Sequence, residues 1–260
     1  MILTDTHTHL YLPEFDTDRD AMLKRAIDKG VQRFFLPGID SRTIESMLAL
    51  EKAYPEHCHA MMGLHPCSVK GNYKEELAIV REWLDKRHFY AIGEIGIDLY
   101  WDKTTLDIQI EAFKIQCRWA VEKNIPIVIH CREAFEEIYN AIVELRTQYP
   151  ELSTLTGVFH CFSGTLDQAQ RAIGLGFYLG IGGVVTYKKA GLAEVVQDID
   201  LKHIVLETDS PYLSPVPYRG KRNESGYILE IAQFISDLKG ISLKELADIT
   251  TENSKQLFKI

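Results

Sequence analysis

The sequence predicts an α/β chain folded as a (β/α)8 barrel, a single domain with an extra helical segment at its C-terminal end. Three observations point there. Eight short apolar runs alternate with amphipathic segments over 260 residues, with little interruption, and strand-then-helix units in succession favour a parallel sheet with right-handed crossovers. No Pro/Gly/Ser-rich linker, low-complexity tract or charge block divides the chain. Residues able to carry chemistry recur where an apolar run stops, as in a barrel whose strand ends share one mouth. A doubly wound open sheet is the alternative.

In order, the first strand is expected over residues 2–9 and its helix over 18–29, stopped by Gly30. The second and third units pair strands at 33–37 and 57–63 with helices at 41–53 and 74–86. A fourth strand at 90–95 precedes the longest helix, 105–123, where Phe113, Cys117, Ala120 and Val121 form one apolar stripe and Asn124 is a plausible stop. Strands at 127–130, 157–160 and 178–182 lead into helices at 134–149, 166–175 and 190–197, with Gly176 after the second of these. The eighth strand, 204–208, is followed by two helices, 225–238 and 243–257.

Composition fits an ordinary globular domain: 46% apolar, 25% charged. The opening Met-Ile-Leu-Thr-Asp has neither a basic region nor an apolar core, so no signal peptide or membrane span is expected and the cytoplasm is the predicted compartment. Five cysteines without a Cys-x-x-Cys pair fit reduced thiols. A net charge of −8 argues against a broad basic surface coating nucleic acid, but not against a locally basic cleft.

His7 and His9 are the most informative pair. On a strand, residues i and i+2 project from one face roughly 6.5–7 Å apart, so both imidazoles can converge on one point. The competing reading is a polar, solvent-facing alternation. Glu94, His130, His160 and Asp209 sit at other strand ends, so six metal-competent residues are expected to meet at the mouth.

The motifs Asp-Thr-His-Thr-His-Leu (5–10), Gly-Leu-His-Pro (63–66), Gly-Glu-Ile-Gly-Ile-Asp (93–98), Ile-His-Cys-Arg (129–132), His-Cys-Phe-Ser-Gly (160–164) and Glu-Thr-Asp-Ser-Pro-Tyr-Leu (207–213) resemble those of the TatD family of metal-dependent deoxyribonucleases, within the amidohydrolase-like barrels. The resemblance spans essentially the whole chain. It implies two divalent cations, one held by His7, His9 and Asp209, the other by His130 and His160, with Glu94 bridging. It further implies hydrolysis of DNA phosphodiester bonds, in the 3′-to-5′ direction, by a hydroxide that the two cations activate, with Glu94 and Asp209 catalytic. Two cations about 3.5–4 Å apart can clamp the attacking and leaving oxygens of an in-line displacement. Asp209 is either the proton acceptor or a ligand only. A bridging carboxylate from the chain itself, rather than a carboxylated lysine, disfavours phosphotriesterase-like, urease-like and dihydroorotase-like chemistry. Magnesium is the ion the family implies, whereas four histidines suit zinc or manganese better. The alternative function is hydrolysis of a small ester, lactone, amide or phosphoester on the same barrel.

Candidate substrate contacts are His65, Arg132, Arg219 and Lys221. His65 is either a phosphate or leaving-group contact or a turn histidine before Pro66. Arg132 is either a bidentate phosphate ligand or half of an ion pair, for instance with Glu133. Residues 217–223 concentrate Arg219, Lys221 and Arg222 beside the eighth strand, with Tyr218 available to stack on a base. Tyr100 and Trp101 are stacking candidates or packing for the barrel rim. Cys131 and Cys161 are expected to point away from the metals as buried thiols, and Asp5 and Asp98 to orient ligand histidines or loops. DNA is the expected partner; nothing calls for a membrane or an obligate protein partner.

Overall fold

The computed structural model describes residues 1–260. Its eight strands are β1 (Leu3–Asp5), β2 (Val31–Leu36), β3 (Cys58–Ala60), β4 (Ile92–Asp98), β5 (Ile127–Arg132), β6 (Gly157–Phe159), β7 (Phe177–Ile181) and β8 (Ile204–Leu206). The helices are α1 (Arg19–Asp28), α2 (Ile44–Ala53), α3 (Tyr73–Lys86), α4 (Leu106–Lys123), α5 (Phe135–Gln148), α6 (Leu166–Gly174), α7 (Leu192–Asp198), α8 (Ile228–Lys239) and α9 (Leu243–Phe258). All strand pairs are parallel, in the orders β1-β2-β3 and β4-β5-β6-β7-β8.

Backbone hydrogen bonds join the two sheets at both seams. Between β3 and β4, Met62 N–H donates to the Ala91 carbonyl and Gly93 N–H to the Met62 carbonyl, both at 3.1 Å. Between β8 and β1, Thr6 N–H donates to the Leu206 carbonyl at 3.0 Å. The sheet therefore closes into the expected (β/α)8 barrel.

The strands are shorter than the apolar runs predict at one end and longer at another. β1 stops at Asp5, so His7 and His9 follow the strand rather than lying on it, and β4 runs three residues past Ile95. Gly96 makes that extension possible. Its φ is +146°, and a Cβ there would overlap the His130 carbonyl of the neighbouring strand, so only glycine lets β4 and β5 run side by side up to Asp98 and Arg132.

Apolar side chains between the sheet and the helices form one continuous buried core running from Leu3 to Ala247. Inside the barrel, Phe35, Met61, Val128, Val158 and Val205 pack with Leu257 and Phe258 of α9. The Phe258 ring stacks on Phe35 with centroids 3.7 Å apart, and Lys259 donates to the Asn124 carbonyl, in the loop that feeds β5, at 2.8 Å. The last helix thus covers the end of the barrel opposite the strand C-termini, leaving the other mouth for chemistry. Asn124 ends α4 in the left-handed conformation, as its side chain tolerates, and Thr165 starts α6 with a capping box. All five cysteines are free, and no helix is long and apolar enough to cross a membrane.

Candidate metal centre

The segment after β1 carries the first two histidines. Asp5 accepts the Thr208 N–H at 2.9 Å and its hydroxyl at 2.6 Å, and the Thr6 hydroxyl donates to the Leu206 carbonyl at 3.0 Å. These bonds hold the segment against β8. Within it the Nε2 atoms of His7 and His9 come 3.3 Å apart. The convergence expected of a strand is reached in the buried extension just past β1, where the chain bends at Thr6 and His7 while Thr8 N–H still donates to the Phe35 carbonyl of β2 at 3.0 Å. Two nitrogens bound to one tetrahedral zinc at about 2.05 Å would also lie about 3.3 Å apart.

Glu94, 2% exposed, stands where the register of β4 shifts between Ile92 and Ile95. Its two oxygens face different groups. Oε2 lies 3.1 Å from His7 Nε2 and 3.6 Å from His9 Nε2, while Oε1 lies 2.7 Å from His130 Nδ1, 3.1 Å from His160 Nε2 and 3.2 Å from His65 Nε2. Asp209 Oδ1 completes the first group at 3.7 Å from His7 Nε2 and 3.6 Å from His9 Nε2. Its backbone is left-handed, φ 56°, and its N–H donates to the His7 carbonyl at 2.9 Å. The six residues expected at strand ends are thus brought together, along with His65.

The outward ring nitrogens separate ligand-type from donor-type histidines. The Tyr11 hydroxyl donates to the Pro37 carbonyl, so at 3.0 Å from His9 it accepts the Nδ1 proton and leaves Nε2 with a free lone pair. Asp98 Oδ2 accepts the His130 Nε2 proton at 2.8 Å, leaving Nδ1 free. Glu207 Oε1 accepts the His160 Nδ1 proton at 3.2 Å, leaving Nε2 free. Each is the carboxylate or hydroxyl support that metal-bound imidazoles commonly use. His65 is the reverse: its Nδ1 accepts the Cys67 N–H at 3.0 Å, so its Nε2 carries the proton and donates toward Glu94. Geometry groups His65 with Glu94 and His130, but its inward nitrogen has no lone pair to give.

The charges match a cation site. Burial pushes His7 down to about 4 and His9 well below the usual imidazole range, so both are neutral. Burial works against ionising Glu94, yet the charges of the surrounding histidines, His65 and His160 foremost, hold it well below the ordinary carboxylate range. Burial likewise opposes charging His65, His130 and His160, yet Glu94 raises all three, with Asp98 adding to His130 and Glu207 to His160, so the carboxylates share their charge with histidine protons that a divalent cation would displace. Burial raises Asp209, helped by Glu94, Glu207 and Asp5. Asp5 is pushed up to about 7, chiefly by burial. Four buried or nearly buried carboxylates, Asp5, Glu94, Glu207 and Asp209, share this volume, and none has a Lys or Arg ion-pair partner. With no Lys or Arg beside them, the positive charge available to these carboxylates comes from protons on the cluster, whose place divalent cations can take. The donor set therefore fits divalent metal.

Glu207 was not singled out in the sequence, although a charged residue inside the apolar run Val-Leu-Glu is a legible signal. It is fully buried, accepts the Cys161 N–H at 2.6 Å, and occupies space that a Cβ at Gly180 would fill. Tyr11 was also missed. Cys161 takes a left-handed backbone, φ 46°, so strand alternation does not set its direction; burial and the charges of Asp209, Glu207 and Glu94 push its thiol up. Cys131 is pushed up to about 12 by burial. Neither thiol is primed as a nucleophile.

Around the rim, Arg132 has no ion pair: Glu133 faces Lys103 at 3.7 Å, and the guanidinium lies 3.7 Å from the Tyr100 ring centroid instead. Arg219 covers Tyr187 at 4.4 Å, and Lys221 is exposed. Arg222 turns away from the cleft to Asp18, with bonds of 2.7 and 2.9 Å. Tyr218 stacks on Tyr227 at 3.9 Å, so one face expected to be free for a base is already covered.

Comparison with known proteins agrees with this geometry. A family model described as TatD related DNase matches residues 4–259. The chain is 38% identical to the metal-dependent hydrolase YabD of Bacillus subtilis, covering 100% of both chains. It is 30% identical to the 3'-5' ssDNA/RNA exonuclease TatD of Erwinia tasmaniensis, covering 98% of this chain and 99% of the other. Among solved structures, the TatD homolog YJJV from Escherichia coli superposes with a TM-score of 0.91 at 28% identity, covering 99% of this chain and 98% of that one. With the barrel, the histidine–carboxylate cluster and these matches in agreement, the chain belongs to the TatD related DNase family of metal-dependent hydrolases.

Proposed function

We propose that this protein hydrolyses DNA phosphodiester bonds from a 3′ end, using two divalent cations held by the six strand-end residues. His7, His9 and Asp209 would hold one cation, His130 and His160 the other, and Glu94 both. The observation that carries this reading is the division of the Glu94 oxygens: Oε2 toward His7 and His9, Oε1 toward His130 and His160. A carboxylate so placed would bridge two cations held by those histidines. When bound, such a cation pair polarises the phosphoryl oxygens and eases ionisation of an attacking water.

The chain's own residues supply the rest. Asp209 is the carboxylate of the cluster with the most solvent contact, 14% against 3% for Glu94, and is the group that can reach and deprotonate a water entering the mouth. His65 presents an N–H, suited to donate to a phosphate or leaving oxygen. Arg132 retains unpaired guanidinium donors for phosphate, and Arg219 and Lys221 add positive charge at the rim of an acidic protein. The nitrogen-rich donor set favours zinc or manganese in affinity over magnesium. The test is metal stripping and add-back on end-labelled single- and double-stranded DNA, beside a panel of lactones and small phosphoesters. Mononucleotide release from the 3′ end, lost on chelation and restored by metal, is expected. Activity surviving complete chelation, or turnover confined to the small esters, would overturn the proposal.

A further inference from the structure

Nine large hydrophobic residues are exposed, and five of them, Tyr100, Trp101, Tyr212, Leu213 and Val216, lie in the loops after β4 and β8 at the mouth. Trp101 is 70% exposed and Tyr100 51%, so neither serves to cover the barrel. Large aromatics left in water beside a cleft have a use there.

They are also held in place. Asp98 Oδ1 accepts the Tyr100 N–H at 3.0 Å and the Trp101 N–H at 3.2 Å, while its other oxygen holds His130. One carboxylate thus fixes both the aromatic pair and a residue of the central cluster. The two rings meet edge-on, centroids 4.8 Å apart, and the Arg132 guanidinium lies 3.7 Å from the Tyr100 centroid and 5.4 Å from that of Trp101. Arg132 donates to no acceptor in the protein, so its N–H groups remain available beside a π surface. Across the cluster, Tyr212, 49% exposed, places its ring 6.1 Å from that of His9.

We infer that Tyr100, Trp101 and Arg132 form a post that stacks an unpaired nucleobase and grips its phosphate on the His130 side, with Tyr212 as a second stacking surface on the His9 side. The inference rests on the nuclease reading and deepens it: the enzyme holds its substrate by splayed bases on both sides of the scissile bond. A π face accepts any base, so the post confers affinity for unpaired strands without sequence preference. Arg132 adds charge to the same surface.

The experiment compares two single-stranded oligonucleotides of equal length, one with bases throughout and one with abasic residues at the 3′ end, in the wild type, Trp101→Ala and Trp101→Phe. The wild type is expected to show a KM about tenfold lower for the base-bearing strand. Trp101→Ala should erase that preference with little change in kcat, and Trp101→Phe should restore much of it. Binding is measured separately, on chelated protein, by fluorescence polarisation of the labelled base-bearing strand. Cleavage with the same base-to-abasic ratio in Trp101→Ala overturns the post alone. Loss of cleavage in the wild type with Trp101-dependent binding intact overturns the nuclease reading and keeps the post. Neither cleavage nor Trp101-dependent binding overturns both.

Discussion

Replacing Glu207 by glutamine tests whether the histidine cluster is tuned from behind. In the native protein Glu207 Oε1 accepts two donors, the Cys161 N–H at 2.6 Å and His160 Nδ1 at 3.2 Å, and its Oε2 is buried without a partner. Glutamine keeps the acceptor but removes the charge, so His160 Nε2 becomes a poorer electron donor, and a polar N–H₂ takes the buried place of an oxygen that has no hydrogen-bond partner. Loss of such support behind a metal-binding histidine typically costs about 10- to 100-fold in metal affinity, which is about 1.4–2.7 kcal/mol. The orphaned amide costs about 1–3 kcal/mol of fold stability besides. Zinc affinity is read by competition with a chromophoric chelator, and folding by circular dichroism and thermal melting. Asp98→Asn, acting on His130 through its 2.8 Å bond, should weaken affinity comparably and provides a second measurement. Folded Glu207→Gln and Asp98→Asn variants that both bind zinc within twofold of the wild type would refute the reasoning.

Glu94→Ala and Asp209→Ala should each abolish DNA turnover, measured on end-labelled strands; persistence of turnover in both would show that the cluster is not the catalytic centre. His59, 8% exposed with neither ring nitrogen hydrogen-bonded, is pushed down to about 4 by burial and the nearby Arg33. Its unfolded pKa is about 6.5, so as pH falls from 6.5 to 4 the unfolded chain takes up a proton that the fold refuses, and about 3 kcal/mol of stability is lost. His59→Phe should therefore show a flatter decline of Tm with acidification, and an unchanged slope would contradict this. Gly96→Ala combines an unfavourable φ of +146° with overlap on the His130 carbonyl. It should destabilise by more than about 4 kcal/mol, visible as loss of soluble protein or a large fall in Tm.

Much of the fold was legible because periodicity is local. All nine helices and all eight strands lie where apolar spacing and stop residues place them, and Asn124, Gly30 and Gly176 take the left-handed conformation expected of helix stops. The errors sit at strand ends, where tertiary surroundings rather than composition decide: β1 ends early because the chain bends at Thr6 and His7, and β4 runs on because Gly96 admits the backbone of β5.

By itself the sequence determined which side chains could meet, since strand-end histidines and carboxylates share one mouth in any closed barrel of this order. Only the tertiary structure decided what each would do there. Whether a ring nitrogen offers a lone pair or a proton depends on its second neighbour: Tyr11 for His9, Asp98 for His130, Cys67 for His65, and Glu207, forty-seven positions from His160. Arg222 was drawn away to Asp18, 204 residues distant in sequence, while Arg132 was left unpaired beside Tyr100. Spacing along a chain fixes direction within one strand or helix, but proton placement and ion pairing are set by groups that approach only when the barrel closes.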